Sequence, residues 1–185
     1  MIWEVWTGFI AELSPSRSFR APTIFDHQFV VRTSRCVLRK AQIADVPALS
    51  MIWADLTVRR FLGGPISAEE AIRRAQSRVD LGELCAVCLL ADERIIGCII
   101  VEERCNRVLE IAYLFNVDDW GRGHATEAIS ALIDEIRRKF GGYEMIAKTQ
   151  SANLPSRRLL ERVGFRVNKE IVEFGELQAI YGQRL

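Results

Sequence analysis

The chain has 185 residues, 49% hydrophobic and 26% charged, with a formal net charge of +1. That length suits one domain with a sizeable core, and the balanced charge gives nucleic acid or an anionic membrane no electrostatic footing as a partner. No apolar run reaches the roughly 18 residues of a spanning helix. Glu4 and Glu12 also argue against a secretory signal. Five cysteines, an odd number in a chain large enough to need no staples, point to a reducing compartment, the cytoplasm.

Residues 1–31 differ from the rest of the chain. They hold Trp3, Trp6, Phe9, Phe19, Phe25 and Phe29 with Pro15 and Pro22 between them, and show no clean period. We read residues 1–31 as an N-terminal extension that either packs on the domain or is loosely ordered, and 32–185 as the domain. Cys36-Val37-Leu38 reads as a short strand. Asp45 then caps a helix with Pro47 in its first turn, and Val46, Leu49, Ile52 and Trp53 recur at helical spacing. Ser67-Ala68-Glu69-Glu70 has the form of a capping box and opens a helix to about Val79.

Leu84 to Leu90 and Arg94 to Glu102 flank the turn Ala91-Asp92-Glu93 and predict a hairpin. Cys85 and Cys88 have C-x-x-C spacing but fall in this strand run, where residues three apart face opposite ways. No second Cys or His pair completes a metal site, and they read as small buried hydrophobes. Val108 to Val117 is a third strand. From Gly123 to Phe140, Ala125, Ala128, Ile129, Leu132, Ile133 and Ile136 form one apolar helical stripe. Tyr143 to Thr149 reads as a strand and Leu154 to Val163 as a helix. Val167 to Phe174 and Leu177 to Tyr181 surround Gly175-Glu176, read as a Gly-X hairpin turn. The order β-α-α-β-β-β-α-β-α-β-β is that of a mixed α/β sheet with helices packed on it.

Trp120-Gly121-Arg122-Gly123-His124-Ala125-Thr126 stands between a strand and the clearest helix. Glycines allow a tight turn and leave amides unshielded. A helix starting there aims unpaired N–H groups and the positive end of its dipole at one spot, which attracts phosphate. A dinucleotide fingerprint fits less well, because Thr126 occupies the third glycine position and Thr149-Gln150 stands where an acidic residue is expected.

Three segments resemble the GNAT superfamily of N-acetyltransferases, most closely its ribosomal-protein (alanine or serine) N-terminal acetyltransferase branch. They are Thr33 to Arg39, Glu110-Ile111-Ala112-Tyr113 with Trp120 to Ala128, and Asn153 to Phe165. The resemblance implies a mostly antiparallel twisted sheet of about 6–7 strands flanked by about four helices. It implies acetyl-CoA as co-substrate, no metal, and transfer of the acetyl group to a primary amine, either a protein N-terminus or a small molecule, by direct attack. A homodimer is admitted. The alternative is a non-catalytic acyl-CoA-binding or sensing domain with a protein partner. Two departures stand out: Asp118 replaces a frequent Gln or Arg, and Leu160 replaces a Tyr that many members use as a general acid.

Within that resemblance, Gly121, Arg122, Gly123, His124, Ala125 and Thr126 are candidates for the pyrophosphate, with Trp120 beside them. Phe115, Asn116 and Val117 supply backbone groups for the pantetheine arm. Asn153 either caps its helix or also bonds that arm. Arg157 and Arg158 are within reach of the 3′-phosphate. Glu110 shares a strand face with Val108, Ala112 and Leu114. Desolvation there would raise its pKa and suit a general base; a solvated Glu at a frayed strand start is the other reading. Ser156 shares a helical face with Leu159, Leu160 and Val163. Its hydroxyl is either a donor near the cofactor sulfur or is bonded back to its own helix in tight packing. Tyr181 is a further candidate acid, or simply a half-buried strand residue.

Overall fold

The computed structural model describes residues 24–104 and 107–185. An eight-stranded sheet runs in the order β1-β2-β3-β4-β5-β6-β8-β7. The strands are β1 (Val30–Arg32), β2 (Cys36–Lys40), β3 (Leu84–Leu89), β4 (Ile95–Glu103), β5 (Val108–Phe115), β6 (Glu144–Gln150), β7 (Arg166–Glu173) and β8 (Glu176–Arg184). The helices are α1 (Val46–Ala54), α2 (Ala68–Leu81), α3 (His124–Lys139) and α4 (Leu154–Arg162). Every pairing is antiparallel except β5 with β6. The crossover through α3 makes that pair parallel, as a strand–helix–strand connection in one sheet requires.

Two apolar layers hold the sheet. On one face α3 and α4 pack Ile129, Leu132, Ile133, Ile136 and Leu160 against Leu109, Ile111, Met145 and Ala147. On the other, α1 and α2 pack Leu49, Trp53, Ala71 and Ala75 against Ala86, Cys98, Ile100 and Leu114. The alternation along β5 explains both layers: odd residues face α3 and α4, and even residues face α1 and α2. Cys85, Cys88 and Cys98 are buried within these strands, and burial pushes their thiols up.

Three local readings change. The boundary drawn between residues 31 and 32 falls inside β1, and Ile24, Phe25 and Phe29 lie in the α3/α4 layer. The tryptophans and Phe9 and Phe19 of the extension lie outside the described residues. The last hairpin turns at Phe174-Gly175, one residue earlier than Gly175-Glu176, with φ of 57° and 77°. Positive φ at both central residues defines a type I′ turn, whose twist matches the flanking strands. Asp45 does not cap α1 through its side chain; it accepts from the Gln42 amide and binds the Arg39 guanidinium in a two-pronged pair at 2.6 and 2.8 Å. Ser67 does cap α2, accepting from the Glu70 amide at 3.1 Å.

Candidate active site

The site begins where β5 and β6 part. Their register runs only from Val108↔Glu144 to Glu110↔Ile146. On its other edge β5 stays paired with β4 up to Phe115. The Arg104 amide bonds the Val108 carbonyl and the Asn116 amide bonds the Ile96 carbonyl, so even residues of β5 exchange bonds with β4. The odd residues therefore aim their backbone groups at the β6 side. Beyond Glu110 no strand among the described residues pairs with that side, which leaves Tyr113 and the Phe115 amide facing an opening. The Phe115 carbonyl is already taken by the Trp120 indole N–H at 2.8 Å. The Asn116 amide is likewise committed to Ile96. Free backbone thus lies slightly upstream of the expected Phe115, Asn116 and Val117, and Tyr113 joins it.

At the end of this edge the chain makes a 3-10 turn over Val117–Asp119 and enters the glycine segment. Asp119 is buried and receives both Arg94 Nη1 and Nη2, at 2.8 and 2.9 Å. The Arg94 bonds hold the Asp119 carboxyl below its ordinary range. Gly121 and Gly123 follow with φ of 73° and 83°. Such values suit glycine, and Gly123 forms the left-handed N-cap of α3. The Glu127 amide closes the first helical bond on the Gly123 carbonyl. The amides of Gly121, Arg122, Gly123, His124, Ala125 and Thr126 meet no acceptor among the described residues. A Cβ built on Gly121 meets nothing within 4 Å. The cradle is open, unpaired and positive, and fits a phosphate group.

Glu127 locks this helix start to β2. Its carboxylate accepts from Ser34 Oγ at 2.9 Å, the Arg35 amide at 2.8 Å and Arg35 Nε at 2.7 Å. Arg35 Nη1 also reaches the Arg122 carbonyl at 2.8 Å. Burial works to raise the Glu127 pKa, but bonds from Thr33, Arg35 and Ser34 outweigh it and hold the group at about 2. A depressed carboxylate contributes stability above its unfolded pKa and loses it as pH falls toward the folded value. Glu127→Gln should therefore destabilise the protein at pH 7 by about 1–3 kcal/mol. The gap between mutant and wild type should close between about pH 5 and pH 2. Urea melts across that range check it, and a gap that is flat with pH would remove the ion pair from the account.

On the α1/α2 face, Glu110 does not stand among apolar neighbours alone. Its Oε2 accepts Arg104 Nε at 2.7 Å, and Arg104 Nη1 pairs with Glu102 at 3.0 Å. Glu102 in turn meets Arg78, which meets Glu83. Glu110 Oε1 takes no donor among the described residues.

On the α3/α4 face, Asn153 caps α4 by accepting from the Ser156 amide at 3.3 Å. Ser156 Oγ is not bonded back to its helix: it lies 2.8 Å from the Tyr113 hydroxyl. Arg157 gives Nε to the Tyr181 hydroxyl at 3.0 Å and Nη1 to the Ser151 carbonyl at 3.3 Å, with Glu170 at 3.5 Å. It is turned to the β7/β8 edge rather than to a phosphate. Tyr181 is fully buried and donates to Glu161 at 3.1 Å, which leaves it no route to the opening as an acid. His124 is buried with Nδ1 3.9 Å from Cys36 Sγ.

Sequence reasoning missed Tyr113, Arg104 and the Arg94–Asp119 clamp. Tyr113 was within reach, since it sits two residues past Ile111 on the α4-facing side of β5. The two arginines carry no sequence signal beyond their charge.

Gly121→Asp tests the cradle. The added carboxylate would sit where a pyrophosphate must approach amides. We expect a loss of about 3 kcal/mol in coenzyme A binding, roughly 150-fold in Kd. Asp tolerates the left-handed conformation better than most residues, so charge rather than strain carries the effect. Gly121→Asn, similar in shape and neutral, should lose far less by calorimetry. Equal losses would place the cause in backbone geometry.

Comparison with known proteins agrees with this geometry. The family model described as Acetyltransferase (GNAT) domain matches residues 35–166. An N-acetyltransferase of Bacillus subtilis (strain 168) named YnaD, itself uncharacterized, is 24% identical over 139 residues, covering 74% of this chain and 82% of its own. The solved acetyltransferase (GNAT family) of Bacillus anthracis superposes with a TM-score of 0.77 at 21% identity, over 84% of this chain and 98% of that one. RimL, a ribosomal L7/L12 alpha-N-protein acetyltransferase solved in complex with coenzyme A, superposes with a TM-score of 0.73 at 18% identity, over 85% and 98%. The family model spans well over half of the chain, and the chain belongs to the GNAT acetyltransferases, enzymes that depend on acetyl-CoA.

Proposed function

We propose that this enzyme transfers the acetyl group of acetyl-CoA to a primary amine, a protein α-amino group or a small-molecule amine, by direct attack and without an acyl-enzyme. The observation that carries the reading is the parting of β5 and β6 beside the unpaired amides of residues 121–126. Bound acetyl-CoA supplies an activated acetyl thioester. The Gly121 to Thr126 amides hold the pyrophosphate, the backbone groups of Tyr113 and the Phe115 amide hold the pantetheine arm as a further strand would, and Arg122 adds charge at the rim. Trp120 fixes the end of β5, and Asn153 fixes the start of α4.

Glu110 faces the opposite side of the sheet from α4, and its Oε1, which meets no donor among the described residues, takes a proton from the incoming amine. Backbone amides at the opening stabilise charge on the carbonyl oxygen. The RimL fold is used on a protein α-amino group, which makes such amines the first acceptors to try. The same reading sets the activity in the cytoplasm, where the free thiols of Cys36, Cys85, Cys88 and Cys98 remain reduced.

A panel of acceptors tests it: peptides with free N-termini, polyamines, aminoglycosides and amino acids, each with acetyl-CoA and read by release of free thiol. We expect amine-dependent release with at least one class and tight binding of coenzyme A. Coenzyme A binding without release from any amine would favour the sensing alternative. No binding at all would overturn the assignment of the cradle.

A further inference from the structure

One side-chain contact spans from β5 to α4 beside the opening. The Tyr113 hydroxyl lies 2.8 Å from Ser156 Oγ and 3.4 Å from the Ser156 carbonyl. Ser156 Oγ has no other partner among the described residues. A serine hydroxyl carries one proton and two acceptor sites, so the direction of its bond to Tyr113 decides where that proton goes. If the phenol donated to the carbonyl, the serine proton would be spent on the phenol oxygen. The 3.4 Å separation is too long for a good O–H···O bond, whereas 2.8 Å is the usual length. At 2.8 Å either hydroxyl can be the donor, and the arrangement in which the phenol donates to Ser156 Oγ is the one that leaves the serine proton for another acceptor.

Three further features fit this arrangement. Both residues are half-buried, so the pair is reachable from the opening. Burial raises the Tyr113 pKa, which keeps the phenol protonated and able to donate. Ser156 is itself held by the cap at Asn153, so its Oγ has a fixed origin.

The geometry points to Tyr113 as a positioning residue: its phenol donates to Ser156 Oγ and turns the serine proton into the opening between β5 and β6, toward the sulfur of the acyl thioester held there. This rests on acetyl-CoA as the acetyl donor. As the C–S bond breaks, its electron pair goes to sulfur, and a hydroxyl already aimed at that atom stabilises the charge without moving its proton. The arrangement also answers for Leu160, which stands where many relatives carry the tyrosine acid. Here the hydroxyl comes from one turn earlier on α4 and is oriented from β5.

The test is a double-mutant cycle of Tyr113→Phe and Ser156→Ala on the full chain, with an acceptor found in the amine panel. Phe keeps the ring and removes only the oxygen. We expect Tyr113→Phe to lower kcat about tenfold while KM for acetyl-CoA and Kd for coenzyme A stay within about twofold. Ser156→Ala should fall at least as far, and adding Tyr113→Phe to it should cost less than a further factor of about two. Protein labelled with 13Cζ-tyrosine and free of ligand gives a second readout. The Tyr113 resonance, identified by its loss in Tyr113→Phe, should move in Ser156→Ala. Equal losses in both backgrounds, an unchanged kcat in Tyr113→Phe, or an unmoved resonance would overturn the inference. Should Tyr113→Phe fail to fold, the kcat of Ser156→Ala decides, and an unchanged value would overturn the inference. Wild-type protein that releases no thiol would refute the acetyltransfer reading instead, while the spectrum would still report on the hydrogen bond.

Discussion

A chain that starts at residue 32 is expected to lose about 5 kcal/mol of stability relative to one that starts at residue 24, a fall in melting temperature of roughly 10–20 °C. The difference is the segment that carries Ile24, Phe25 and Phe29, which are 6%, 0% and 3% exposed. The two phenylalanine rings meet edge to face at 4.8 Å, and the Lys139 ammonium sits 5.6 Å from the Phe29 ring centre. Losing a buried Phe side chain costs about 3–5 kcal/mol and a buried Ile about 2–5. The shorter chain no longer spends entropy on ordering the segment, which sets the expected loss below that sum and at the lower end of an ordinary domain's stability, about 5–15 kcal/mol. Deleting β1 also exposes the edge of β2, because Val30, Val31 and Arg32 pair with Arg39, Leu38 and Val37. Circular dichroism melts of the two chains decide the matter. Melting within about 3 °C of each other would show that the segment merely rests on a complete core.

That boundary illustrates what the sequence could and could not tell. Helical stripes and alternating strands carry their own period, so α1 to α4 and β2 to β8 were legible in order and nearly in extent. Residues 24–31 have no period because they bury only three large side chains, in a turn followed by a three-residue strand. An aromatic there looks the same whether it packs or not. The glycine cradle was legible for a related reason: its chemistry is made by backbone, and Gly-x-Gly before a helical stripe announces the backbone directly. The side chains of the site were less legible, because partners distant in sequence decide what each one does. Arg157 looked available for a phosphate until Tyr181 and Glu170 were seen to hold it. Ser156 read as a residue bonded to its own helix or to a cofactor, and its bond to Tyr113 spans 43 positions. Glu110 and Arg104 are only six positions apart, yet pairing them requires knowing that β4 and β5 lie antiparallel in this register.

For Glu110→Gln the size of the loss should depend on the acceptor. An amine with pKa near 10.4 is only about 0.04% neutral at pH 7, whereas an α-amino group near 7.8 is about 14% neutral. The first needs proton removal by roughly 3 units more than neutral solution supplies; the second needs little help. Gln keeps the shape and deletes the base. For a peptide N-terminus we expect a loss of about tenfold or less in kcat/KM, recovering as pH rises past about 8. For a polyamine or aminoglycoside amine of high pKa we expect a loss nearer 10³-fold. The surroundings of Glu110 make the comparison clean. Arg104 retains Glu102 at 3.0 Å when the Glu110 charge is removed, so no buried guanidinium is left unpaired. A thermal melt close to wild type should accompany the kinetic change. Oε1, which meets no donor among the described residues, is the oxygen that would take the amine proton, since Oε2 is held by Arg104. Identical pH–rate profiles for wild type and Glu110→Gln, with whichever acceptor proves active, would take Glu110 out of the mechanism and leave its pairing with Arg104 as a brace between β4 and β5.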